Sequence, residues 1–479
     1  MNQSMRKTKI VCTMGPSNQD PNVLRQMMEA GMNVARFNFS HGSHEEHMGR
    51  LKNLKALREE LGLPVAALLD TKGPEIRLKQ FANGKEILEQ GQKFTLTSRD
   101  VEGTNEIVSI SYTGLPNDVK AGSTILLADG LIRLEVEEVV DGTDIVCRVM
   151  NRGPISNNKG VNVPGVSLSM PYMSEKDKSD VLFAVEAGFD FIAASFTRNA
   201  QDIMDIRNLL KTVNGDHIRI IAKIENQEGI DNIKEILEVA DGIMVARGDM
   251  GVEIDFTEIP IIQKDLILHS FAAGKPVITA TQMLESMIEN PRPTRAEITD
   301  VANAIYDGTS AVMLSGETAA GKWPVEAVRT MAAIAERTEN DPHYQERYGV
   351  SLEEGCLSIS AATAHAACTI AEDVNAKAII AISKSGQTVA QMCRYRSDAP
   401  IIACVMDEQV QRQLSVSWGV TAVLMPAGGN TDEMIAKAAQ VAEENGLVSK
   451  GDVVVLTAGV PVGVSGTTNM IKVHTIGEA

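Results

Sequence analysis

Two acidic residues, Glu225 and Asp249, stand where apolar runs give way to polar residues, one strand-plus-helix period apart. The runs before them, 218–222 and 242–246, are typical of buried parallel strands, whose carboxyl ends carry the chemistry of α/β folds. Lys223 precedes Glu225 by two residues, so on one strand both side chains point the same way. The carboxylate pair suits a divalent cation, and the lysine suits a phosphate or enolate oxygen.

Eight short apolar runs alternate with helical patterns along much of the chain. They span 8–15, 33–40, 64–70, 191–196, 218–225, 242–249, 276–282 and 310–317. Because each run is followed by a helical segment, we expect eight parallel strands closing into a (β/α)8 TIM barrel. Active sites of such barrels form at the carboxyl ends of the strands, which here carry Arg36, Asn38, Ser40, Asp70, Thr71, Lys223, Glu225, Asp249, Thr281, Ser315 and Glu317.

The barrel pattern is interrupted once and is followed by a second α/β series. Residues 71–169 lack a helical period, and the alternating segments 93–98, 107–112, 123–128 and 144–150 predict a small antiparallel β-barrel, inserted as a lid over the catalytic face. Strands near 376–383, 400–406, 421–425, 452–458 and 470–476 predict a C-terminal doubly wound α/β domain. We therefore expect a catalytic barrel at 1–70 and 170–342, a lid at 71–169 and a third domain at 343–479.

Composition narrows the class of protein. A net charge of -18 and a pI near 5.0 argue against binding nucleic acid, because a phosphate backbone requires a basic surface. The six cysteines are scattered without metal-ligand spacing, which is typical of reduced thiols in a cytoplasmic enzyme. No run is long enough to cross a membrane, and the N-terminal residues do not resemble a signal peptide. We expect a soluble cytoplasmic protein with no membrane partner.

Several segments resemble the pyruvate kinase family, in order and across nearly the whole chain. They include MNVARFNFSHG, LLDTKGPEIR, IAKIENQEG, DGIMVARGDMGVEI and VMLSGETAAGKWP. The resemblance implies phosphate transfer from phosphoenolpyruvate to ADP, with an enolpyruvate that is then protonated to pyruvate. It also implies dependence on Mg²⁺ (or Mn²⁺) and K⁺.

The same resemblance implies roles for residues at the barrel mouth. Glu225 and Asp249 match the ligands of the divalent metal, and Lys223 matches the lysine that stabilises the moving phosphoryl group. Arg36 matches the arginine that binds the substrate phosphate. Gly248, Asp249 and Thr281 match the cradle of the substrate carboxylate. The proton donor to the enolate stays open among Thr281, Ser315 and Glu317.

A monovalent-cation site and a nucleotide site are implied in the same way. The potassium ligands are Asn38, Ser40, Asp70 and Thr71, all oxygen donors. Glu75 belongs to the family variant that needs the cation. The nucleotide-contacting positions are Asn38, Phe39, Ser40, His41, Arg77 and Lys159.

The sequence says less about the ligand of the third domain and about the oligomeric state. A small-residue loop precedes a predicted helix and resembles a site for a phosphorylated sugar or nucleotide effector; it comprises Ser383, Lys384, Ser385, Gly386, Gln387 and Thr388. The tryptophan and arginine that grip fructose 1,6-bisphosphate in animal-type members have no counterparts near 430–446, so the effector stays open. The resemblance implies a homotetramer. Two other functions remain: a magnesium-dependent barrel lyase that needs no ADP, and a non-catalytic metabolite sensor.

Overall fold

The computed structural model describes residues 6–344, 358–460 and 466–478. Cys356 and parts of the predicted third domain lie outside these residues. Cys12, Cys147, Cys368, Cys393 and Cys404 are free thiols, in agreement with the prediction from their spacing. Among the described residues, no helix is long and apolar enough to cross a membrane.

The first barrel segment contains strands β1 (Lys9–Thr13), β2 (Val34–Asn38) and β3 (Ala66–Asp70), with helices α1 (Pro21–Glu29) and α2 (His44–Leu61) between them. Ser43 caps α2: its hydroxyl accepts a hydrogen bond from the backbone N–H of Glu46, and the Glu46 carboxylate accepts one from the backbone N–H of Ser43. This capping box fixes where α2 begins, directly after the turn that follows β2. That turn carries Ser40 and His41 to the barrel mouth.

The inserted segment follows β3. Its strands are β4 (Ile76–Arg77), β5 (Lys85–Leu88), β6 (Lys93–Thr97), β7 (Ile107–Ser109), β8 (Thr124–Leu127), β9 (Ile132–Val140), β10 (Asp144–Val149), β11 (Gly153–Ser156) and β12 (Gly160–Asn162), with a short helix α3 (Leu115–Asp118). Seven strands form one sheet in the order β4-β12-β8-β9-β10-β6-β7, and β11 pairs with β5. Leu78, directly after β4, bridges Ile110, directly after β7, in the antiparallel sense, and the N–H groups of Lys79 and Ser111 donate to the carbonyl oxygens of Ser109 and Arg77, each at 2.8 Å. The two ends of the sheet therefore meet, as the predicted small β-barrel requires. The sheet is mixed and not purely antiparallel as predicted, because β7 pairs with β6 in parallel.

The second barrel segment completes the closed sheet. It contains α4 (Glu175–Ala187), β13 (Phe191–Ala194), α5 (Ala200–Thr212), β14 (Arg219–Ile224), α6 (Gln227–Asp231), α7 (Ile233–Val239), β15 (Gly242–Ala246), α8 (Arg247–Glu253), α9 (Ile259–Ala272), β16 (Val277–Ala280), α10 (Arg295–Tyr306), β17 (Ala311–Leu314), α11 (Gly316–Ala319) and α12 (Pro324–Glu339). The closed order is β1-β17-β16-β15-β14-β13-β3-β2, and every neighbouring pair is parallel. The predicted eight-stranded barrel is confirmed.

The last segment is a five-stranded α/β domain. It contains α13 (Ile359–Asp373), β18 (Ala378–Ile382), α14 (Gln387–Cys393), β19 (Ile401–Val405), α15 (Glu408–Gln413), β20 (Val420–Leu424), α16 (Thr431–Glu444), β21 (Val453–Gly459) and β22 (Thr468–Thr475). The sheet order is β20-β19-β18-β21-β22, with only β22 antiparallel to its neighbour. Separate apolar cores cover its two faces, one with α16 and one with α13 and α14, as a doubly wound sheet requires.

The third domain closes the amino-terminal end of the barrel. Val416, between α15 and β20, packs in the same apolar cluster as the inward side chains of the barrel strands. Arg412 Nε donates to the buried carboxylate of Asp190 at 2.8 Å, directly before β13. The opposite end of the barrel, where the strands finish, is left for the inserted sheet to cover.

Candidate active site

A cavity of about 770 Å³ lies between the carboxyl ends of the barrel strands and the inserted sheet. Eight of the predicted site residues line it: Arg36, Asn38, Ser40, His41, Arg77, Lys159, Lys223 and Asp249. Six of the predicted metal, substrate and nucleotide residues do not line it: Phe39, Asp70, Thr71, Glu225, Gly248 and Thr281. Most of these six contact a lining residue or its strand, so the predicted set forms one connected site with an inner and an outer layer.

Lys223 is the central cation of the inner layer. It is the penultimate residue of β14, and only 7% of it is exposed. Its Nζ lies 2.9 Å from Glu225 Oε1 and 3.2 Å from Asp70 Oδ1, and it donates to Ser195 Oγ at 2.7 Å. Burial lowers the pKa of Lys223, but the charges of Asp70 and Glu225 outweigh burial and raise it above its usual range. Lys223 is therefore a fixed ammonium at the cavity wall.

Asp70 and Glu225 both contact Lys223, but their pKa values are shifted in opposite directions. Burial alone would raise the pKa of Asp70, but Arg36 and Lys223 together lower it. The Nε of Arg36 donates to Asp70 Oδ2 at 2.5 Å, so each carboxylate oxygen of Asp70 has a cationic donor. Burial raises the pKa of Glu225 despite Lys223, because no second cation compensates and Asp249 adds negative charge. Glu225 is the carboxylate that lacks a second positive charge.

Glu225 and Asp249 fit a hard divalent cation. Glu225 is fully buried, and its Oε2 accepts from the backbone N–H of Phe196 at 2.6 Å. Its Oε1 has no hydrogen-bond donor of good geometry among the described residues, although Lys223 Nζ is near. Asp249 lies in the first turn of α8, on the neighbouring strand unit, and not at the end of the strand as predicted. A buried carboxylate oxygen beside the negative charge of a second carboxylate is the donor chemistry that Mg²⁺ requires.

Two carboxylates alone make only part of the coordination shell of a divalent cation. Among residues 6–344, 358–460 and 466–478, no group of three or more His, Cys, Asp or Glu side chains is arranged to hold a metal. Two carboxylates with space in front of them leave positions for substrate oxygens and water, as magnesium sites in phosphoryl-transfer enzymes do.

Asn38, Ser40, Asp70 and Thr71 form a cluster of oxygen donors at neighbouring strand ends. Asn38 is paired in register with Asp70. The strand β2 ends at Asn38, so Ser40 lies in the following turn and not in the strand as predicted; its N–H donates to Asn38 Oδ1 at 3.1 Å. A set of neutral and anionic oxygens without nitrogen donors fits a monovalent hard cation.

Ser195 is a residue of this site that the sequence analysis missed. It follows β13, is 2% exposed and lines the cavity. Besides accepting from Lys223, its Oγ lies 3.0 Å from Asp70 Oδ1 and 2.7 Å from the carbonyl oxygen of Thr71. The only signal in the sequence was its place at the end of the fourth predicted strand, because a lone serine carries no motif.

The backbone beside Ser195 is shaped to allow this contact. Gly73 has φ +72°, and a Cβ on it would lie 2.8 Å from the carbonyl oxygen of Ser195. Phe196, the next residue, has φ +54°, which turns its N–H towards Glu225. These left-handed residues place the ends of β3, β13 and β14 against one another.

Thr281 stands in a strained turn beside α8. Strand β16 ends at Ala280, one residue before it, and Thr281 and Gln282 have φ +69° and +56°. Thr281 Oγ1 accepts from the N–H of Gly248 at 2.7 Å, so the predicted carboxylate cradle is closed by an internal bond. Arg247, which the sequence analysis did not single out, donates to the carbonyl oxygen of Thr281 at 2.7 Å and holds the turn.

Ser315 and Glu317 lie beyond the cavity wall. The carboxylate of Glu317 accepts from the N–H of Ser315 at 2.6 Å and from that of Leu284 at 3.0 Å, and burial raises its pKa. Ser315 Oγ is buried and has no hydrogen-bond partner among the described residues. Neither residue lines the cavity.

The outer layer contains the predicted nucleotide positions. Arg77 Nε donates to Glu75 Oε2 at 2.8 Å, and Lys72 Nζ lies 3.6 Å from the same oxygen. His41 and Lys159 also line the cavity. Phe39 does not, because its ring is buried and stacks on His47 at 4.1 Å. Among these predicted residues, Arg77 and Lys159 belong to the inserted sheet and His41 to the barrel, which places them on opposite walls.

The predicted effector loop lies far from this cavity, at the junction of β18 and α14. Gly386 has φ +79° and its N–H donates to Ser383 Oγ at 3.0 Å. The carbonyl oxygen of Ser385 accepts from Arg219, the first residue of β14, at 2.7 Å. Thr388 is buried, with its hydroxyl against that of Thr468. Lys384 and Gln387 are the exposed side chains of the loop.

Comparisons with known proteins agree with this architecture. A family model described as pyruvate kinase, barrel domain, matches residues 5–328, and one described as pyruvate kinase, alpha/beta domain, matches residues 361–474. The pyruvate kinase of Sporosarcina psychrophila is 52% identical over 476 residues, 99% of this chain and 81% of that protein. That of Clostridium acetobutylicum is 50% identical over 477 residues, covering 98% of this chain and all of that protein. A crystal structure of a Cryptosporidium parvum pyruvate kinase has TM-score 0.93 and 40% identity, covering 99% of this chain and 98% of that one. The chain belongs to the pyruvate kinase family.

Proposed function

We infer that this chain transfers the phosphoryl group of phosphoenolpyruvate to ADP at the cavity between the barrel and the inserted sheet. The observation that carries the inference is the Lys223 ammonium, held between Asp70 and Glu225 and facing the cavity beside Asp249. In the reaction the bond from phosphorus to the enol oxygen breaks and a bond from phosphorus to a β-phosphate oxygen of ADP forms. The enolate then takes one proton at its methylene carbon and becomes pyruvate.

Arg36 and Lys223 are the residues we assign to the phosphate. Both line the cavity, and both are oriented by Asp70, so their positions are set before substrate binds. Phosphoryl transfer depends on positioning and on charge stabilisation, and preorganised cations contribute most where water is excluded. Gly248, Asp249 and Thr281 are proposed to hold the substrate carboxylate. The strained turn at Thr281, fixed by Arg247, supports a role for its hydroxyl near the enolate, with Ser315 and Glu317 as the alternatives further from the cavity.

Glu225 and Asp249 are the proposed ligands of Mg²⁺ or Mn²⁺. When bound, the divalent ion would neutralise charge on substrate oxygens and act as a Lewis acid. Glu225 contributes a buried oxygen and Asp249 an exposed carboxylate, so the metal site would be open on the cavity side. Asn38, Ser40, Asp70 and Thr71 are the proposed K⁺ ligands, since they gather oxygen donors beside the same two cationic side chains.

We propose a separate role for each of the three predicted domains. Residues 1–70 and 170–342 would perform the chemistry, 71–169 would close over ADP through Arg77 and Lys159, and 343–479 would regulate. For the third role, the contact of Ser385 with Arg219 offers a link from the effector loop to the strand of Lys223. A phosphorylated sugar or nucleotide is the proposed effector class. A homotetramer in the cytoplasm completes the proposal.

Two alternatives are separated by one experiment. A magnesium-dependent lyase would form pyruvate from its substrate without ADP, and a metabolite sensor would form none. Pyruvate formation from phosphoenolpyruvate should be measured by coupled NADH oxidation, with and without ADP, at saturating Mg²⁺ and K⁺. We expect a rate that requires ADP and produces one ATP for each pyruvate. Pyruvate formation that is independent of ADP, or absent, contradicts the proposal.

A further inference from the structure

Ser195 connects Lys223 to the proposed K⁺ site. Its hydroxyl accepts a hydrogen bond from Lys223, the proposed phosphoryl-stabilising cation, at 2.7 Å. The same oxygen lies 2.7 Å from the carbonyl oxygen of Thr71 and 3.0 Å from Asp70 Oδ1, two proposed K⁺ ligands. We propose that the Ser195 hydroxyl is a positioning residue that orients Lys223 and the Thr71–Asp70 ligand pair together. This inference rests on the proposed function and on the assignment of those ligands.

The hydroxyl has one proton, and this limits what it can do. Because it accepts from the charged Lys223, its own proton is left for Thr71 or Asp70. Lys223 already lies within 3.2 Å of Asp70, whereas the Thr71 carbonyl is nearer to Ser195 at 2.7 Å. The ordinary arrangement is therefore a chain in which Lys223 donates to Ser195 and Ser195 donates to Thr71. The chain fixes the direction of one ammonium proton and of one ligand carbonyl.

The rest of Ser195 is held so that its hydroxyl cannot move away. Its N–H donates to Thr71 Oγ1 at 3.2 Å, and its carbonyl oxygen accepts from the hydroxyl of Tyr172 at 3.0 Å. Both Ser195 and Tyr172 are buried. The close approach of Gly73 prevents the chain beside β3 from shifting. Residues that hold metal ligands in place by hydrogen bonds from outside the coordination shell are typically fixed in this way.

Removing the Ser195 hydroxyl would affect both Lys223 and the proposed K⁺ site without removing any proposed ligand. Lys223 would keep its two carboxylate neighbours but lose its hydrogen bond to the Ser195 hydroxyl. The Thr71 carbonyl would lose its side-chain donor. Hydrogen bonds to charged groups and outer-shell bonds to metal ligands each contribute about 10- to 100-fold to activity or affinity.

The test compares Ser195→Ala, Ser195→Thr and Ser195→Cys with wild type. A matched control is Ser270→Ala, because the Ser270 hydroxyl is also buried and donates to a carbonyl, that of Lys275 at 3.0 Å, at the opposite end of the barrel. Two quantities are measured: kcat and KM for phosphoenolpyruvate at saturating cations, and the K⁺ concentration at half of the K⁺-induced rise in melting temperature, without substrate, against tetramethylammonium.

For Ser195→Ala we expect kcat to fall about 10- to 100-fold with KM within about threefold, and the K⁺ midpoint to rise about tenfold. Ser195→Thr keeps the hydroxyl and should stay within about threefold of wild type in each quantity. Ser270→Ala should lower the melting temperature alone. If Ser195→Ala does not fold, Ser195→Cys, of similar volume but with a weak hydrogen-bonding group, should show the same losses.

A kcat and a K⁺ midpoint within about twofold of wild type in the alanine or cysteine variant would overturn the inference. Threonine as impaired as alanine would overturn it too, because the hydroxyl would then not be the active feature. The melting measurement uses no substrate, so it judges Ser195 even if wild type forms no pyruvate. An inactive wild type that still shows the shifted K⁺ midpoint would refute the proposed function alone.

Discussion

Replacing Lys223 by methionine tests the centre of the site most directly. Methionine has nearly the length of lysine and no charge, so Lys223→Met removes the ammonium with little change in volume. Three interactions disappear: the ion pairs with Glu225 and Asp70 and the hydrogen bond to Ser195. We expect kcat to fall about a thousand- to a hundred-thousand-fold, the range found for cations that stabilise a moving phosphoryl group. KM for phosphoenolpyruvate should change little, because Arg36, the other residue proposed to bind the phosphate, remains.

The same substitution should weaken the fold by a calculable amount. Asp70 keeps its bond from Arg36, whereas Glu225 loses its one ion-pair partner among the described residues. Leaving one member of a buried ion pair uncompensated costs about 3 to 5 kcal/mol in the free energy of unfolding. Because burial already raises the pKa of Glu225, this carboxyl can take up a proton instead, which places the loss at or below the lower end of that range near neutral pH.

The assay is coupled pyruvate formation, with urea denaturation measured on the same samples. The control is Lys275→Met, because Lys275 is also partly buried but donates to the carbonyl oxygen of Ala240, at the amino-terminal end of the barrel. Lys275→Met should lose stability and keep its kcat. A loss of kcat below about tenfold for Lys223→Met, or a rise of KM as large as the fall of kcat, would refute the transition-state role.

Three further changes test the surrounding layers. Asp249→Asn should raise the Mg²⁺ concentration needed for half-maximal activity about tenfold or more, and an unchanged metal titration would remove this residue from the metal site. Glu75→Lys should keep part of its activity without K⁺ but raise KM for ADP, because the new ammonium would repel Arg77, which now pairs with Glu75. Wild type fully active in tetramethylammonium alone would contradict the first expectation, and an unchanged KM for ADP the second. Burial lowers the pKa of His47, so the unfolded chain binds its proton first and stability should fall as pH drops below about 6.5; in His47→Gln the denaturation midpoint should depend less on pH, and an identical slope would exclude this histidine.

The inner layer of the site was predictable because strand geometry is regular. Lys223 and Glu225 share a face through the two-residue period of a strand, and their 2.9 Å contact confirms that prediction. Asp70 and Asn38 are neighbours because adjacent parallel strands end together. In these cases the regular geometry of the strands allows the distance between two side chains to be inferred from their separation in the sequence.

Where the backbone leaves the regular period, prediction failed. Asp249 lies in a helix and Thr281 in a left-handed turn, although both were placed at strand ends. The inserted segment was predicted to be purely antiparallel, but alternation shows which residues form strands and not which strands pair. The sheet proved to be mixed, because β7 pairs with β6 in parallel. Ser195 was missed because its importance lies in contacts with residues more than a hundred positions earlier, such as Asp70.

The closure of the barrel by Val416 has a consequence for how the chain could be divided. A (β/α)8 barrel usually fills its own interior, but here the innermost layer at the amino-terminal end includes a side chain from the third domain. Cutting the chain before residue 358 would leave an apolar socket open to water and the buried carboxylate of Asp190 without Arg412. We therefore expect that the barrel does not fold stably by itself. A truncated or grafted barrel would need to include the segment 412–420. The inserted sheet joins the barrel at its other end, so this dependence does not extend to it.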